Sequence, residues 1–215
     1  ALEVRDGGSY IKAPYDEARD INARDEIPVR KAKGGYIKRL PKSAERDFSY
    51  SAEGRTNAVY GAGNLDGAAR LTLIYLHGKD GNREWGFDDE RFGGNFNRVK
   101  NLMVNNGGVY LSPDFTNFDH SGFADIAALI EHRAVKSGGK IIIACGSLGT
   151  KLCWSLANNA STRKLISGLV VLGGFPDRDF TRIAYSGALA PVPLYIAHGS
   201  RDPVYDVAAM EDFYN

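Results

Sequence analysis

The rhythm of apolar and polar positions changes about a third of the way along the chain. From residue 70 onward, short continuous apolar runs alternate with longer stretches of helical spacing. Leu71–Leu76 is one such run, as expected of a strand covered on both faces. Phe96, Val99, Leu102 and Met103 share one face of a helix predicted over Phe96–Asn105, which stops at the Asn-Asn-Gly-Gly string ending at Gly108. Val109–Leu111 predicts the next strand, closed by Pro113. Asp119–Val135 predicts a helix with Phe123, Ile126, Ala127 and Ile130 on one face, ended by Ser137–Gly139. Ile141–Ala144, Gly168–Leu172 and Val192–Ala197 predict three further strands. Thr150–Ala157 predicts a helix closed by Asn158 and Asn159, and a last helix starts at Asp206. This alternation predicts an α/β protein with a doubly wound, mostly parallel sheet.

The region before residue 70 reads differently. Residues 1–45 are polar, charged and irregular, and the basic stretch Arg30–Lys33 with Lys38 and Arg39 predicts a solvated loop or an edge hairpin. Asp47–Tyr60 alternates in part, through Phe48, Tyr50, Val59 and Tyr60, and predicts an early antiparallel strand pair before the glycine-rich turn of residues 61–67. The expected organisation is a single domain, with residues 1–69 as an N-terminal extension carrying early antiparallel strands and residues 70–215 as the core.

Charge narrows the choice of partner. The chain of 215 residues has 27 Lys and Arg against 26 Asp and Glu, a net charge of +1, so no field of one sign favours a nucleic acid. No apolar run approaches the ~20 residues of a membrane span. No Cys/His cluster has metal-ligand spacing. The two cysteines, Cys145 and Cys153, are read as small buried residues rather than as a disulfide. The chain begins at Ala1 without Met or signal peptide, which fits an exported, processed product or a trimmed chain and leaves the compartment open between exported and cytoplasmic.

In a sheet of this kind ligands bind at the carboxyl ends of the strands. Four chemically loaded segments fall there, around His77, Asp114, Ser147 and His198–Asp202. Ser147 stands in the small-residue turn Cys145–Gly149, between a predicted strand and a predicted helix. A serine on such a turn is pushed out at the sheet edge, beside helix N–H groups that favour developing negative charge.

This segment resembles the nucleophile elbow of the α/β-hydrolase family, usually G-x-S-x-G, with Cys145 where the first glycine is usual. The resemblance extends over roughly residues 70–207. It implies a sheet of α/β-hydrolase type lacking the last strand and helix. Tyr75–Gly78 resembles the family's HG motif, which implies an oxyanion hole built from the N–H of Lys79 and the N–H of Leu148. His198–Val204 resembles its H-G-x-x-D-x-x-V string, which implies Asp202 as the acid of a triad with Ser147 as nucleophile. Asp114 is expected to be structural, Asp177 is a fallback acid, and His77 and His198 are expected to hydrogen-bond or pack.

The chain departs from the family pattern at the base. Triad order is Ser, acid, His, yet the histidines are His77, His120, His132 and His198, all before Asp202. Three explanations stand: further residues beyond 215 carry the base, His120 or another upstream histidine serves, or the base has been lost. His120 is otherwise a polar residue of a loop or first helical turn, and His132 lies on a solvated helix face. The resemblance implies a serine hydrolase acting on a small-molecule or polymer-attached ester or related acyl bond, with no cofactor and no metal. Acyl transfer and peptide cleavage would use the same serine, and a non-catalytic binding module is the alternative from another class. Residues 174–190, where the family often inserts a lid, number only 17, so no large cap is expected.

Overall fold

The computed structural model describes residues 1–16, 19–20, 25–26 and 31–215. Arg30 of the basic stretch and residues 17–18, 21–24 and 27–29 of the irregular N-terminal segment lie outside them. The chain forms two compact units, residues 1–39 with 88–98 and residues 40–87 with 99–215.

In the first unit β1 (Glu3–Arg5) pairs antiparallel with β2 (Tyr10–Lys12), and β3 (Asp25–Glu26) with β4 (Lys31–Ala32). Ala32 N–H donates to the Glu90 carbonyl at 2.9 Å. Asn97 Nδ2 donates to the Lys38 carbonyl at 2.9 Å and to Asp89 Oδ1 at 2.8 Å. The described part of the basic stretch is thus tied to residues 88–98 by backbone and amide hydrogen bonds and by the ion pair of Arg39 Nη2 with Glu90 Oε1 at 2.5 Å.

The second unit holds a seven-stranded sheet and most of the helices. Its strands are β5 (Glu45–Ala52), β6 (Arg55–Gly63), β7 (Leu71–Leu76), β8 (Val109–Pro113), β9 (Lys140–Gly146), β10 (Gly168–Leu172) and β11 (Leu194–Ala197), in the spatial order β11-β10-β9-β7-β8-β6-β5. The helices are α1 (Arg91–Asn105), α2 (His120–Ser137), α3 (Thr150–Asn158), α4 (Ala160–Arg163), α5 (Arg178–Ser186) and α6 (Val207–Tyr214). β5 and β6 form the antiparallel edge, and β8, β7, β9, β10 and β11 run parallel to one another.

Strand alternation explains the continuous apolar runs. In β8, Val109 and Leu111 join Ile126, Leu129 and Ile130 of α2 in the core. Tyr110 and Ser112 point the other way. There Tyr110 Oη donates to the Gly86 carbonyl at 2.5 Å and Ser112 Oγ to the Arg83 carbonyl at 2.7 Å. Both faces are covered, so β8 has no solvated side to be polar on. β11 contrasts with it. It pairs on one side only, and Tyr195 is 62% exposed.

The helix ends follow local chemistry. α2 stops at Gly138, which takes the left-handed conformation with φ of 62°. α5 was not among the predicted helices, although Phe180, Ile183 and Ala184 recur at helical spacing in it, and of its nine residues only Phe180 is buried. Its start is capped by Asp177, which accepts from the Phe180 N–H at 2.6 Å, and its end by Gly187. Phe180 and Phe213 pack on Trp154 of α3, with ring centroids 5.0 and 5.5 Å away.

An ion pair with a buried carboxylate anchors α2. Asp125 is fully buried and accepts from Arg55 Nη2 at 2.9 Å, Thr116 N at 2.8 Å and Thr116 Oγ1 at 2.7 Å. One carboxylate thereby joins β6, the loop after β8 and α2. Among the described residues, no helix is long and apolar enough to cross a membrane.

Candidate active site

β9 ends at Gly146, and the chain turns through the 3-10 segment Ser147–Gly149 directly into α3. Ser147 has φ of 50°, the left-handed region that non-glycine residues rarely adopt, and its side chain is exposed. Close approaches on three sides shape this bend. A Cβ on Gly78 would lie 3.0 Å from Ser147 Cβ and 3.2 Å from the Gly146 carbonyl oxygen. A Cβ on Gly149 would fall 2.6 and 2.7 Å from the His77 and Leu76 carbonyl oxygens. A Cβ on Gly146 would lie 2.7 Å from Tyr75 Oη, and burial pushes that phenol up to about 12.

The structure therefore brings the Ser147 bend against the turn after β7. Lys79 and Leu148 are the next residues after Gly78 and Ser147. His77 is buried and stacks on Phe115 at 4.2 Å, with Phe118 edge-on at 6.1 Å. Its Nδ1–H donates to the Gly78 carbonyl at 2.9 Å. Burial holds the imidazole below its ordinary pKa, and the Gly78 carbonyl and Asp114 offset this only in part.

Cys145 and Cys153 correct the reading of two unpaired thiols. They form a disulfide, with Cα atoms 6.3 Å apart, and both residues are fully buried. The expectation of burial holds; that of independence does not. They stand eight positions apart, and the reversal at Ser147 folds the first turns of α3 back over the end of β9. No spacing rule for an isolated strand or helix brings two such positions together.

Asp202 lies in the bend after β11. Oδ1 accepts from the N–H groups of Val204 at 2.8 Å and Tyr205 at 3.1 Å. These two bonds, the Tyr205 one foremost, hold the carboxyl below its usual range, aided by His198. Oδ2 faces the end of β10, where a Cβ on Gly173 would lie 3.3 Å away. Gly173 directly follows Leu172, the register partner of Gly146, so Asp202 stands beside the strand that neighbours the Ser147 bend. His198 Nε2–H donates to the Tyr205 carbonyl at 2.9 Å and lies 3.8 Å from Asp202 Oδ2.

The remaining polar residues have other partners. Asp114 accepts from the Arg83 N–H at 2.8 Å. Asp177, the fallback acid, caps α5 and accepts from Asn158 Nδ2 at 3.0 Å. His120 is exposed at the first position of α2, beside Asp119, whose carboxylate is paired with Lys151. His132 is exposed on the same helix. Among the described residues, no group of three or more His, Cys, Asp or Glu is gathered as metal ligands.

The sheet order, parallel strands with an antiparallel edge, is that of the α/β-hydrolase fold, and solved structures with TM-scores above 0.5 share it. A serine hydrolase homologue from Coxiella burnetii superposes with a TM-score of 0.59 at 14% identity, covering 79% of this chain and 81% of its own. A cold-adapted esterase from an Arctic intertidal metagenomic library gives 0.56 at 16% identity, covering 84% of this chain and 82% of its own. An epoxide hydrolase from Vigna radiata gives 0.46 at 16% identity over 65% of this chain, which spans 41% of that protein's length. No protein-family model matches the chain, and no curated protein matches its sequence. The chain has the α/β-hydrolase fold.

Proposed function

We propose that the protein is a serine hydrolase cleaving an ester or related acyl bond through an acyl-enzyme. One observation carries this reading: an exposed serine in the left-handed conformation, at a strand–turn–helix bend packed against the glycine turn after β7. Backbone strain of this kind costs about 1–3 kcal/mol and persists where surrounding structure over-determines it. Ser147 Oγ attacks the acyl carbon, and the developing oxyanion lies between the N–H groups of Leu148 and Lys79. A histidine takes the serine proton and delivers it to the leaving alcohol. Asp202 orients that histidine and stabilises its cationic form. Water then releases the acid. Asp202 suits the part because its carboxylate stays ionised and keeps Oδ2 directed towards β10.

Triad order places the histidine after Asp202, and none of this chain's four histidines stands there. The base is therefore left unassigned among His77, His120, His132 and His198. The same fact favours the second reading, an α/β-hydrolase-like module that binds without hydrolysing.

A fluorophosphonate probe on the full-length protein separates the two. Covalent labelling at Ser147, abolished in Ser147→Ala, is the expected result. A full-length protein that stays unlabelled under conditions that label a control esterase overturns the hydrolase in favour of the binding module. Product analysis with competing alcohols and amines then distinguishes hydrolysis from acyl transfer.

A further inference from the structure

We infer that the Cys145–Cys153 disulfide is the clamp that keeps Ser147 in its left-handed conformation, making the two cysteines positioning residues for the serine; the catalytic consequence rests on the hydrolase reading above. Cys145 stands two residues before Ser147 and Cys153 six residues after it, so the bridge encloses the whole bend. Core packing of Leu152, Trp154 and Leu156 holds α3 beyond the bend, while the restraints on the bend itself are mostly repulsive. Gly78, Gly146 and Gly149 are close approaches that stop the turn from moving inward. They do not stop it from opening outward, and outward is where Ser147 meets solvent. The β9–β10 register pairing reaches Gly146 and goes no further. Beyond it, local bonds remain, such as Thr150 N–H to the carbonyls of Leu148 and Ser147. The disulfide is the covalent tether that ties the far side of the bend back to its strand.

The position of Cys145 supports the same role. The α/β-hydrolase pattern usually has glycine there, whereas this chain puts a residue able to bond covalently to the next helix. Both sulfurs are buried in the cluster that contains Leu152, Trp154 and Leu156, so the tether acts within packed structure rather than on a loose loop.

The bridge opens by exchange with a small dithiol. Two electrons and two protons pass to the cysteine sulfurs, giving two thiols, while the dithiol closes to a cyclic disulfide. The test compares three forms of the full-length protein: the oxidised wild type, the dithiol-reduced wild type and Cys145→Ala/Cys153→Ala. The reduced wild type guards against a double variant that fails to fold, and circular dichroism identifies the folded samples. One-bond Cα–Hα couplings at Ser147, which separate positive from negative φ, provide the readout independent of chemistry. The expected result is a shift of this coupling towards the negative-φ value on reduction or substitution. Fluorophosphonate labelling is expected to slow about 10–100-fold with it, as small displacements of a reacting group do. An unchanged Ser147 coupling in a folded, bridge-free protein overturns the inference, whatever the labelling rate. A failure of the oxidised wild type to label overturns the hydrolase reading alone and leaves the coupling to decide the role of the bridge.

Discussion

The bend at Ser147 and the bend at Asp202 end neighbouring parts of one sheet, yet they are held by different physics. The serine bend follows β9, an inner strand with a partner on each side, and is enclosed by glycine contacts and a disulfide. The aspartate bend follows β11, an edge strand, and depends on Asp202 accepting two backbone N–H groups and on His198 donating to Tyr205. One is defined by excluded volume and a covalent bond, the other by hydrogen bonds that begin at the Asp202 side chain itself. Substitution at the first should therefore separate function from stability, whereas substitution at the second mixes them.

Ser147 is the sharpest place to press this difference. On the hydrolase reading, Ser147→Ala should lower turnover by on the order of 10⁴–10⁶-fold, as loss of an attacking hydroxyl does. Its melting temperature should stay near wild type. Ser147→Gly should be equally inactive but more stable, by roughly 0.5–1 kcal/mol, because glycine takes φ of 50° without strain. Thermal denaturation of the pair checks this, and a Gly variant no more stable than the Ala variant would show that the strain is already relieved by the surroundings.

At the other bend, Asp202→Asn keeps an oxygen for the Val204 and Tyr205 amides while losing the charge. Turnover should fall about 10³–10⁴-fold with little loss of stability. Asp202→Ala should lose both, at a further cost of about 1 kcal/mol for the amides left unpaired. Equal stability of the Asn and Ala variants would mean that the two N–H bonds do not hold this bend.

Gly78→Ala tests the packing around the serine. Its new methyl would meet Ser147 Cβ and the Gly146 carbonyl at 3.0 and 3.2 Å, displacing the bend by a few tenths of an ångström. A fall of about 10²-fold in kcat/KM is expected, with the melting temperature little changed. Wild-type activity in this variant would remove the turn after β7 from the site.

The pH dependence of stability is a weaker effect. His77 is held below its ordinary pKa by burial, so the unfolded chain binds its proton first as pH falls. Its contribution is complete above about pH 6.5 and declines below that value. Asp202 is depressed in the folded state, so its contribution is present above about pH 4 and lost as pH falls through the lower, folded value. His77→Asn should remove the upper of the two windows in denaturant midpoints measured against pH, and leave the lower. The smallest expected effect is that of His120→Ala, which should leave kcat unchanged when the base lies after Asp202. A loss of 10²-fold or more would make His120 the base.

Much of this arrangement was readable from local pattern. Inner strands covered on both faces are mostly apolar, so Leu71–Leu76 and Gly168–Leu172 stand out with the bounds the structure has. Gly138 marks the end of α2 because few other residues accept the left-handed conformation there. α5 left a fainter trace. Its evidence in the chain was Asp177 three residues before Phe180, Gly187 behind, and a short apolar stripe of Phe180, Ile183 and Ala184, of which only Phe180 is buried. Asp177 consequently looked like a spare acid, whereas its carboxylate caps that helix.

By itself, then, the order of residues determined the alternation of strand and helix, the small-residue turn that presents Ser147, and the types of group that can stand at the carboxyl edge. These depend on periodicity, conformational freedom and side-chain chemistry within about ten residues. The tertiary structure decided that Cys145 meets Cys153, that Gly78 rather than another glycine abuts the serine, and that Asp202 lies beside β10. Those outcomes require distant backbones to approach within a few ångströms, and that approach is set by sheet order and packing, which no local stretch of sequence encodes.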